Sequence, residues 1–329
     1  MSSAILLPRI TNGIYPERKE KPQGTLDRFG EQLFGVFKRP QLRLNNFNRV
    51  YRLIEKYGKQ YTTLDETQLN GAIIDLRHQL RRDGFRLPLV AQAFALIREL
   101  SGRSLGMRHH KCQLQGGWIL LNGMVAEMQT GEGKTLTATL AAGTAALAGV
   151  PTHVVTVNDY LAERDAQTMQ PVYRQLGLSV GTVISGMDLG ARQQAYRCDI
   201  TYCTNKELVF DYLKDRITLG NRTGELRLQA ENLYGQGSRA HRLLLRGLCY
   251  AIVDEADSVM IDEARTPLII SGPVEGGDEQ QMIHQVLELS QLLQEDVHYK
   301  VSTTERKLSL TEAGKTYLRE LAEPLGGLW

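Results

Sequence analysis

The residues with the clearest chemistry form one run, Glu127-Met128-Gln129-Thr130-Gly131-Glu132-Gly133-Lys134-Thr135. A short strand, Met124 to Met128, is expected to lead into a glycine-bearing loop, and a helix from Leu136 to about Ala148 to leave it. Such a loop turns several backbone N–H groups into one concavity at a helix N-terminus, where the helix dipole favours anions. Lys134 has the reach to meet β- and γ-phosphates, and the Thr135 hydroxyl suits Mg²⁺. ATP with Mg²⁺ is the expected occupant. The general pattern G-x-x-x-x-G-K-[ST] is met except at its first glycine, which is Met128 here.

A second element strengthens this reading. Leu248-Cys249-Tyr250-Ala251-Ile252-Val253 is an apolar run of strand length that ends in Asp254-Glu255-Ala256-Asp257. A buried strand that delivers two acids at its C-terminal end suits a Mg²⁺-associated Asp254 and a water-activating Glu255.

These elements need a scaffold, and the rest of the chain describes one. With 329 residues there is room for two domains, or one large domain with an appendage. Hydrophobic residues make up 42% and charged residues 23%, the balance of a globular protein. A net charge of +2 does not by itself call for nucleic acid. No apolar run reaches the length of a bilayer span, and Met1 to Gly24 lacks a signal-peptide core and reads as a flexible tail. Cys112, Cys198, Cys203 and Cys249 show no C-x-x-C spacing; they point to a reducing compartment and to neither a disulfide framework nor a zinc site.

From Leu26 to Ser104 the pattern is helical, with amphipathic periods at Leu26–Phe37, Asn48–Tyr57 and Leu64–Arg82 and another opened by Pro88. From Met124 onward strands and helices alternate. Val154–Val157, Val180–Ile184 and Ile200–Cys203 read as strands; Asp159–Leu176, Ala191–Arg197 and Lys206–Arg216 read as helices, the first capped by Asn158 or Asp159. Repeated β–α units with apolar strands predict an α/β fold, a parallel sheet with helices on both faces and a phosphate site at the C-terminal strand ends. Gly220–Gly247, rich in Gly and Arg, reads as a solvated surface insertion. Pro267–Pro273 reads as a strand leaving the sheet. A helix (Gln280–Gln294), a hairpin (Tyr299–Val301 against Lys307–Leu310) and a helix capped by Thr311 come after it, a segment too short to build its own core. Asp262, Glu263 and Arg265, between the acids and this exit, are expected either to pair with one another or to link the site to the C-terminal segment.

Several strings resemble one family, the SecA ATPases, motor subunits of bacterial preprotein translocation. They include Met107-Arg108-His109 with Gln113-Leu114, Glu127-Met128 through Leu136, and Val155-Thr156-Val157-Asn158-Asp159-Tyr160-Leu161-Ala162-Glu163-Arg164-Asp165. Phe210-Asp211-Tyr212-Leu213 and Ile261-Asp262-Glu263-Ala264-Arg265-Thr266-Pro267 through Pro273 belong with them. The resemblance spans about Leu26 to Leu321, and Met128 is what that family carries at its position.

The resemblance implies a RecA-like parallel sheet preceded by helices and followed by a partial α+β domain. It divides the chain into a tail (1–25), a first motor domain (26–272) and the beginning of a preprotein-binding domain (273–329). It implies that Gln113 reads adenine, that Met107 packs near the base, that Thr130, Gly131, Glu132, Gly133, Lys134 and Thr135 form the phosphate loop, and that Thr135 and Asp254 serve Mg²⁺, the latter through water. Glu255 would orient the attacking water. The implied partners are unfolded preproteins, a SecYEG-type channel and an anionic phospholipid surface, with no specific nucleic acid and a homodimer left open. The implied location is cytoplasmic, on the inner face of the plasma membrane. Departures from the family pattern are Gln129 for Arg, Cys203 for Gly, Lys206 for Asn, Ala256 for Val and a long Gly220–Gly247 connection. The chain ends before the second motor domain with its arginines, so it is expected to be a fragment or a truncated paralogue. A superfamily 2 nucleic-acid helicase and a non-catalytic nucleotide-binding module remain the alternatives.

Leu26–Phe37 gathers Phe29, Leu33, Phe34 and Phe37 with Arg28, Lys38 and Arg39 close by, the composition of a helix that lies on anionic lipid or docks on the motor domain. Flotation with anionic vesicles is expected to show binding that weakens with salt and on deletion of residues 1–39. Equal binding by the deletion form would place the contact elsewhere.

Overall fold

The computed structural model describes residues 15, 44–220, 228, 230–231, 233, 238–269, 277–302 and 307–323. The proposed lipid-facing segment Leu26–Phe37 lies outside them. The chain divides into two compact units, Met1–Leu268 and Ile269–Trp329.

The first unit begins with helices. Helix α1 (Leu44–Thr62) buries Phe47, Val50, Ile54 and Tyr61, one stripe at helical spacing. Helix α2 (Glu66–Asp83) starts at Asp65, whose carboxylate accepts from Gln68 N at 2.8 Å while the Gln68 side chain accepts from Asp65 N at 3.1 Å. Helix α3 (Leu87–Leu105), with Pro88 in its first turn, is buried nearly all round and forms the centre of this layer.

Helix α4 (Lys111–Leu121) and helix α5 (Lys134–Leu147) come next. Every residue of α5 from Leu136 to Leu147 is buried, because it is packed against α3 and α4 and also against the sheet. That explains a sequence of small and apolar residues with no polar face.

Four parallel strands complete the layer: β1 (Thr152–Thr156), β2 (Val180–Val183), β3 (Ile200–Thr204) and β4 (Tyr250–Val253), in the order β2-β3-β1-β4. The two central strands, β1 and β3, are buried along their whole length, as a parallel sheet covered on both faces requires. The crossovers carry α6 (Asp159–Gln175), α7 (Leu189–Tyr196) and α8 (Asn205–Leu219). Asn158 caps α6, its side chain accepting from Leu161 N at 2.9 Å.

Two expectations are corrected here. Met124–Met128 is not a strand: Val125 is 86% exposed, and β4 is the edge of the sheet. The segment is drawn to α4 instead, with Met124 N donating to the Ile119 carbonyl at 3.3 Å. Nor are Arg239 and Arg246 of Gly220–Gly247 simply solvated, although Arg242 is exposed as expected. Arg239 pairs with Glu231 at 2.8 Å, and Arg246 donates to the carbonyls of Tyr196 and Cys198. Leu228, Leu243, Leu244 and Leu245 are buried in a cluster that includes Tyr15 and Cys203. The backbone N–H groups of Leu244 and Leu245 donate to Asp215 at 2.8 and 2.9 Å, and the Tyr15 hydroxyl donates to it at 3.1 Å.

The second unit contains α9 (Gly277–Gln291), the antiparallel pair β5 (Tyr299–Ser302) and β6 (Lys307–Leu310), and α10 (Glu312–Ala322). Thr311 caps α10, its hydroxyl accepting from Gly314 N at 3.0 Å. His298 stacks on Tyr317 at 4.6 Å between ring centroids. Among the described residues of this unit only Gly314 is buried, and all of β6 is exposed. None of the described helices is long and apolar enough to cross a membrane.

His153, in β1, is buried against Tyr196, and its Nδ1 has no hydrogen-bond partner among the described residues. Burial and then the Arg246 charge lower its pKa to about 4, against an opposing hydrogen bond with the Tyr250 backbone. The unfolded chain therefore takes up a proton below the ordinary value of 6.5 that the folded chain refuses until about 4. Stability from this group is full above 6.5 and is lost as pH falls through that window, by about 1.4 kcal/mol per pH unit. Urea midpoints measured between pH 7 and pH 4 are expected to fall, and to fall less steeply in His153→Gln.

Candidate nucleotide site

Helix α5 and strand β1 are joined only by Ala148–Pro151, so the helix must run antiparallel to the strand it packs on. Its N-terminus, with Lys134, therefore lies at the end of the sheet where β1 and β4 finish. The loop and the acids expected to serve one site thus reach the same end of the fold.

The approach of α4 to α5 depends on two glycines. A Cβ at Gly117 would meet Leu140 at 2.8 Å, and one at Gly116 would meet Thr137 Cγ2 at 2.9 Å and Met128 Sδ at 3.2 Å. Met128, the residue that departs from the general phosphate-loop pattern, fills the space that Gly116 leaves. At the other end of α4, the Tyr250 hydroxyl of β4 donates to the Leu120 carbonyl at 3.0 Å.

Helix α4 presents Gln113. Its Oε1 accepts from His110 N at 2.8 Å, and its Nε2 donates to the Glu132 carbonyl at 2.9 Å. Gln113 therefore braces the phosphate loop, a role its residue type does not reveal. Gly133 enters α5 in the left-handed region, φ 76° and ψ 48°, and a Cβ there would stand 2.4 Å from Gln113 Nε2. The loop also closes on itself, as Glu132 Oε2 accepts from Gln129 N at 2.8 Å. Thr130, Gly131 and Lys134 are exposed and Thr135 is half-buried.

The run before Gln113 is held by α3. Ser101 Oγ donates to the Met107 carbonyl at 2.5 Å, and Arg98 donates to the His109 carbonyl at 2.8 Å. Glu99 takes Arg103 at 2.9 Å and Arg108 at 2.6 Å. Burial alone would raise the Glu99 carboxyl; the two guanidinium groups hold it below its usual value. His109 is buried and its pKa is lowered to about 4, chiefly by burial. Being neutral, it donates Nε2–H to the Leu136 carbonyl at 2.9 Å in the first turn of α5. Met107 is left 41% exposed, its carbonyl held by Ser101.

At the acidic end, Asp254 N donates to the Val155 carbonyl at 2.9 Å, extending the β1–β4 pairing by one residue. Asp254 Oδ1 accepts from Glu255 N at 3.0 Å. Glu255 is left-handed at φ 52°, unusual for a residue with a side chain. The nearby Arg164, held by Asp165 at 2.7 Å, feels the Asp254 charge, and nothing in its sequence context marks it as part of this region. Among the described residues no hydrogen bond or ion pair joins Asp254 or Glu255 to the loop.

These residues fit a nucleotide triphosphate with its metal. Gly131 and Gly133 hold left-handed backbone that keeps the concavity free of side chains, and Lys134 is an exposed cation with no ion-pair partner among the described residues.

The SecA DEAD-like domain family matches residues 33–319. This chain belongs to the SecA family. It is 46% identical over 318 residues to "Protein translocase subunit SecA 2" of Bordetella avium, covering 96% of this chain and 48% of that protein. It is 41% identical over 335 residues to the SecA 2 of Nitrosospira multiformis, covering 100% and 50%. It is 43% identical over 285 residues to the chloroplastic SECA2 of Arabidopsis thaliana, covering 85% and 25%. The chain thus spans about half the length, or less, of the SecA relatives it matches.

The Gly133–Gln113 contact in this SecA domain predicts a coupled response. Gly133→Ala is expected to destabilise by about 1–2 kcal/mol from the left-handed backbone alone, with more from the clash. Gln113→Ala in the same chain removes the clash but not the strain. Denaturation of the double variant should therefore show a smaller loss than the sum of the two single losses; simple additivity would refute the contact.

Proposed function

We propose that this chain binds ATP with Mg²⁺ at the Thr130–Thr135 loop and is the first motor domain of a protein translocase. The whole motor would couple ATP hydrolysis to the passage of unfolded preproteins through a SecYEG-type channel, working in the cytoplasm against the anionic inner face of the plasma membrane. The observation that carries the ATP reading is the convergence at one end of the sheet of a left-handed glycine loop, an exposed Lys134 at a helix N-terminus, and the two acids of β4. Membership of the SecA family, and relatives whose names call them protein translocase subunits, support the wider role. On this reading residues 1–25 are a tail, 26–272 the motor domain, and 273–329 the beginning of a preprotein-binding domain.

Each group takes the role its chemistry suits. The N–H groups of Gly131 through Thr135 would donate to the phosphate oxygens where the α5 dipole also favours negative charge, and the Lys134 ammonium would meet the β- and γ-oxygens. Thr135 Oγ1 would hold Mg²⁺ directly and Asp254 would hold it through water. The metal, when bound, neutralises charge on the transferred phosphoryl group. Glu255 orients the attacking water and takes its proton. Gln113 already spends one N–H on Glu132, but an amide has a second N–H and a further lone pair, which suffice for the adenine edge, with Met107 packed on the base. Phosphoryl transfer commonly needs an arginine worth about 10³ to 10⁵ in rate. We place it outside this chain, which alone should bind ATP and turn it over poorly.

Calorimetry of Lys134→Ala is expected to show MgATP affinity reduced about tenfold or more, a loss of at least about 1.4 kcal/mol. An unchanged affinity would end the assignment. In the intact protein Glu255→Gln is expected to lower turnover by about 10² to 10⁴ while ATP stays bound.

A further inference from the structure

The segment after β4 is anchored at two points. Upstream, Asp254 N is bonded to the Val155 carbonyl of β1. Downstream, the Glu263 carboxylate accepts from Asn205 Nδ2 at 2.5 Å and pairs with Lys206 Nζ at 3.2 Å. Asn205 and Lys206 open α8, immediately past the end of β3. Since β3 and β4 flank β1, the segment crosses the end of β1, a span of about 10 Å for two strand spacings.

Between the anchors the backbone is irregular. Glu255 is left-handed, Ser258–Asp262 is a π-helical turn, and Glu263–Arg265 is a 3-10 turn. π-Turns are rare and cluster at functional sites. Among the described residues, apart from the Asp254 Oδ1 bond to Glu255 N, no side-chain hydrogen bond or ion pair ties residues 255–262 to the rest of the unit. Asp262 and Arg265 pair neither with Glu263 nor with each other. Glu263 supplies the side-chain hydrogen bond and ion pair at the downstream end of the arch.

The contact is specific in orientation. Asn205 Oδ1 is buried without a partner, and turning the amide would set that oxygen against the Glu263 carboxylate. The Asn205 hydrogen bond and then Lys206 hold the Glu263 carboxyl below its usual range, so the anchor is charged at neutral pH.

We propose that Glu263 is a positioning residue: its clamp on Asn205 and Lys206 closes the arch across the end of β1 and fixes the backbone of Glu255. This rests on the reading of Glu255 as the water-orienting acid, but the clamp itself can be tested without it.

Hydrogen exchange of the amides in residues 256–265 is expected to quicken about tenfold in Glu263→Ala, with the amides of α5 unchanged. Glu263→Lys should quicken it as well, and Lys206→Glu with Glu263→Lys should restore much of the protection. In the intact protein Glu263→Ala should lower kcat about tenfold with KM and the affinity for a fluorescent ADP analogue kept within about threefold. Lys206→Met should lower it less, because Asn205 still holds the carboxylate. Unchanged exchange in Glu263→Ala would overturn the clamp. Faster exchange with unchanged kcat would leave Glu263 a structural tie and overturn the positioning role. Failure of the nucleotide reading would show separately, as no analogue binding by the unsubstituted protein.

Discussion

The close crossing of α4 and α5 governs the rest of the architecture. Two adjacent glycines, Gly116 and Gly117, remove the side chains that would otherwise stand 2.8–2.9 Å from Leu140 and Thr137. Only then can α5 press against the sheet on one side and α3 and α4 on the other. Loss of the crossing would move Gln113 off the Glu132 carbonyl, and the loop would lose this brace from outside itself. The position of Lys134 is thus a consequence of packing some two turns along the neighbouring helix.

A second layer of control is electrostatic. Arg98, Arg103 and Arg108 converge on Glu55, Glu99 and the His109 carbonyl, and so fix the entry to α4 before any ligand is considered. A more deeply buried cluster joins α7 to α8, where Arg192 meets Glu207 and Asp211, and Tyr196 donates to Asp211 at 3.0 Å. Both clusters pair each carboxylate with a guanidinium, which is the condition for burying charge without large cost.

Much of this was readable from residue types. Apolar β-branched runs marked β1 through β4, and the caps at Asn158 and Thr311 fell where short polar side chains preceded helical periods. The phosphate loop and the acidic strand end were both visible, because glycine, lysine and paired acids carry their chemistry in their identity. What stayed hidden depends on partners distant in sequence. Met124–Met128 has strand-like residues, yet α4 captures it. Arg239 and Arg246 look solvated until the acid and carbonyls they meet are seen. The bracing role of Gln113 needs Glu132 beside it. Gly116-Gly117 was the one overlooked local signal, since glycines inside a helical pattern often mark close approach.

The Tyr15–Asp215 hydrogen bond has a consequence in time. Its two ends lie 200 residues apart, and the buried cluster around them also needs Leu243, Leu244 and Leu245. At roughly 5–20 residues per second of synthesis, Tyr15 waits on the order of 10–40 s for its partner to be made. Throughout that interval Tyr15 is without Asp215 and open to other molecules. The helical layer, built from contacts close in sequence, is by contrast able to form early. The order in which this protein becomes itself therefore runs from the α1–α5 layer outward, and Tyr15, made early, is among the last residues to find its place.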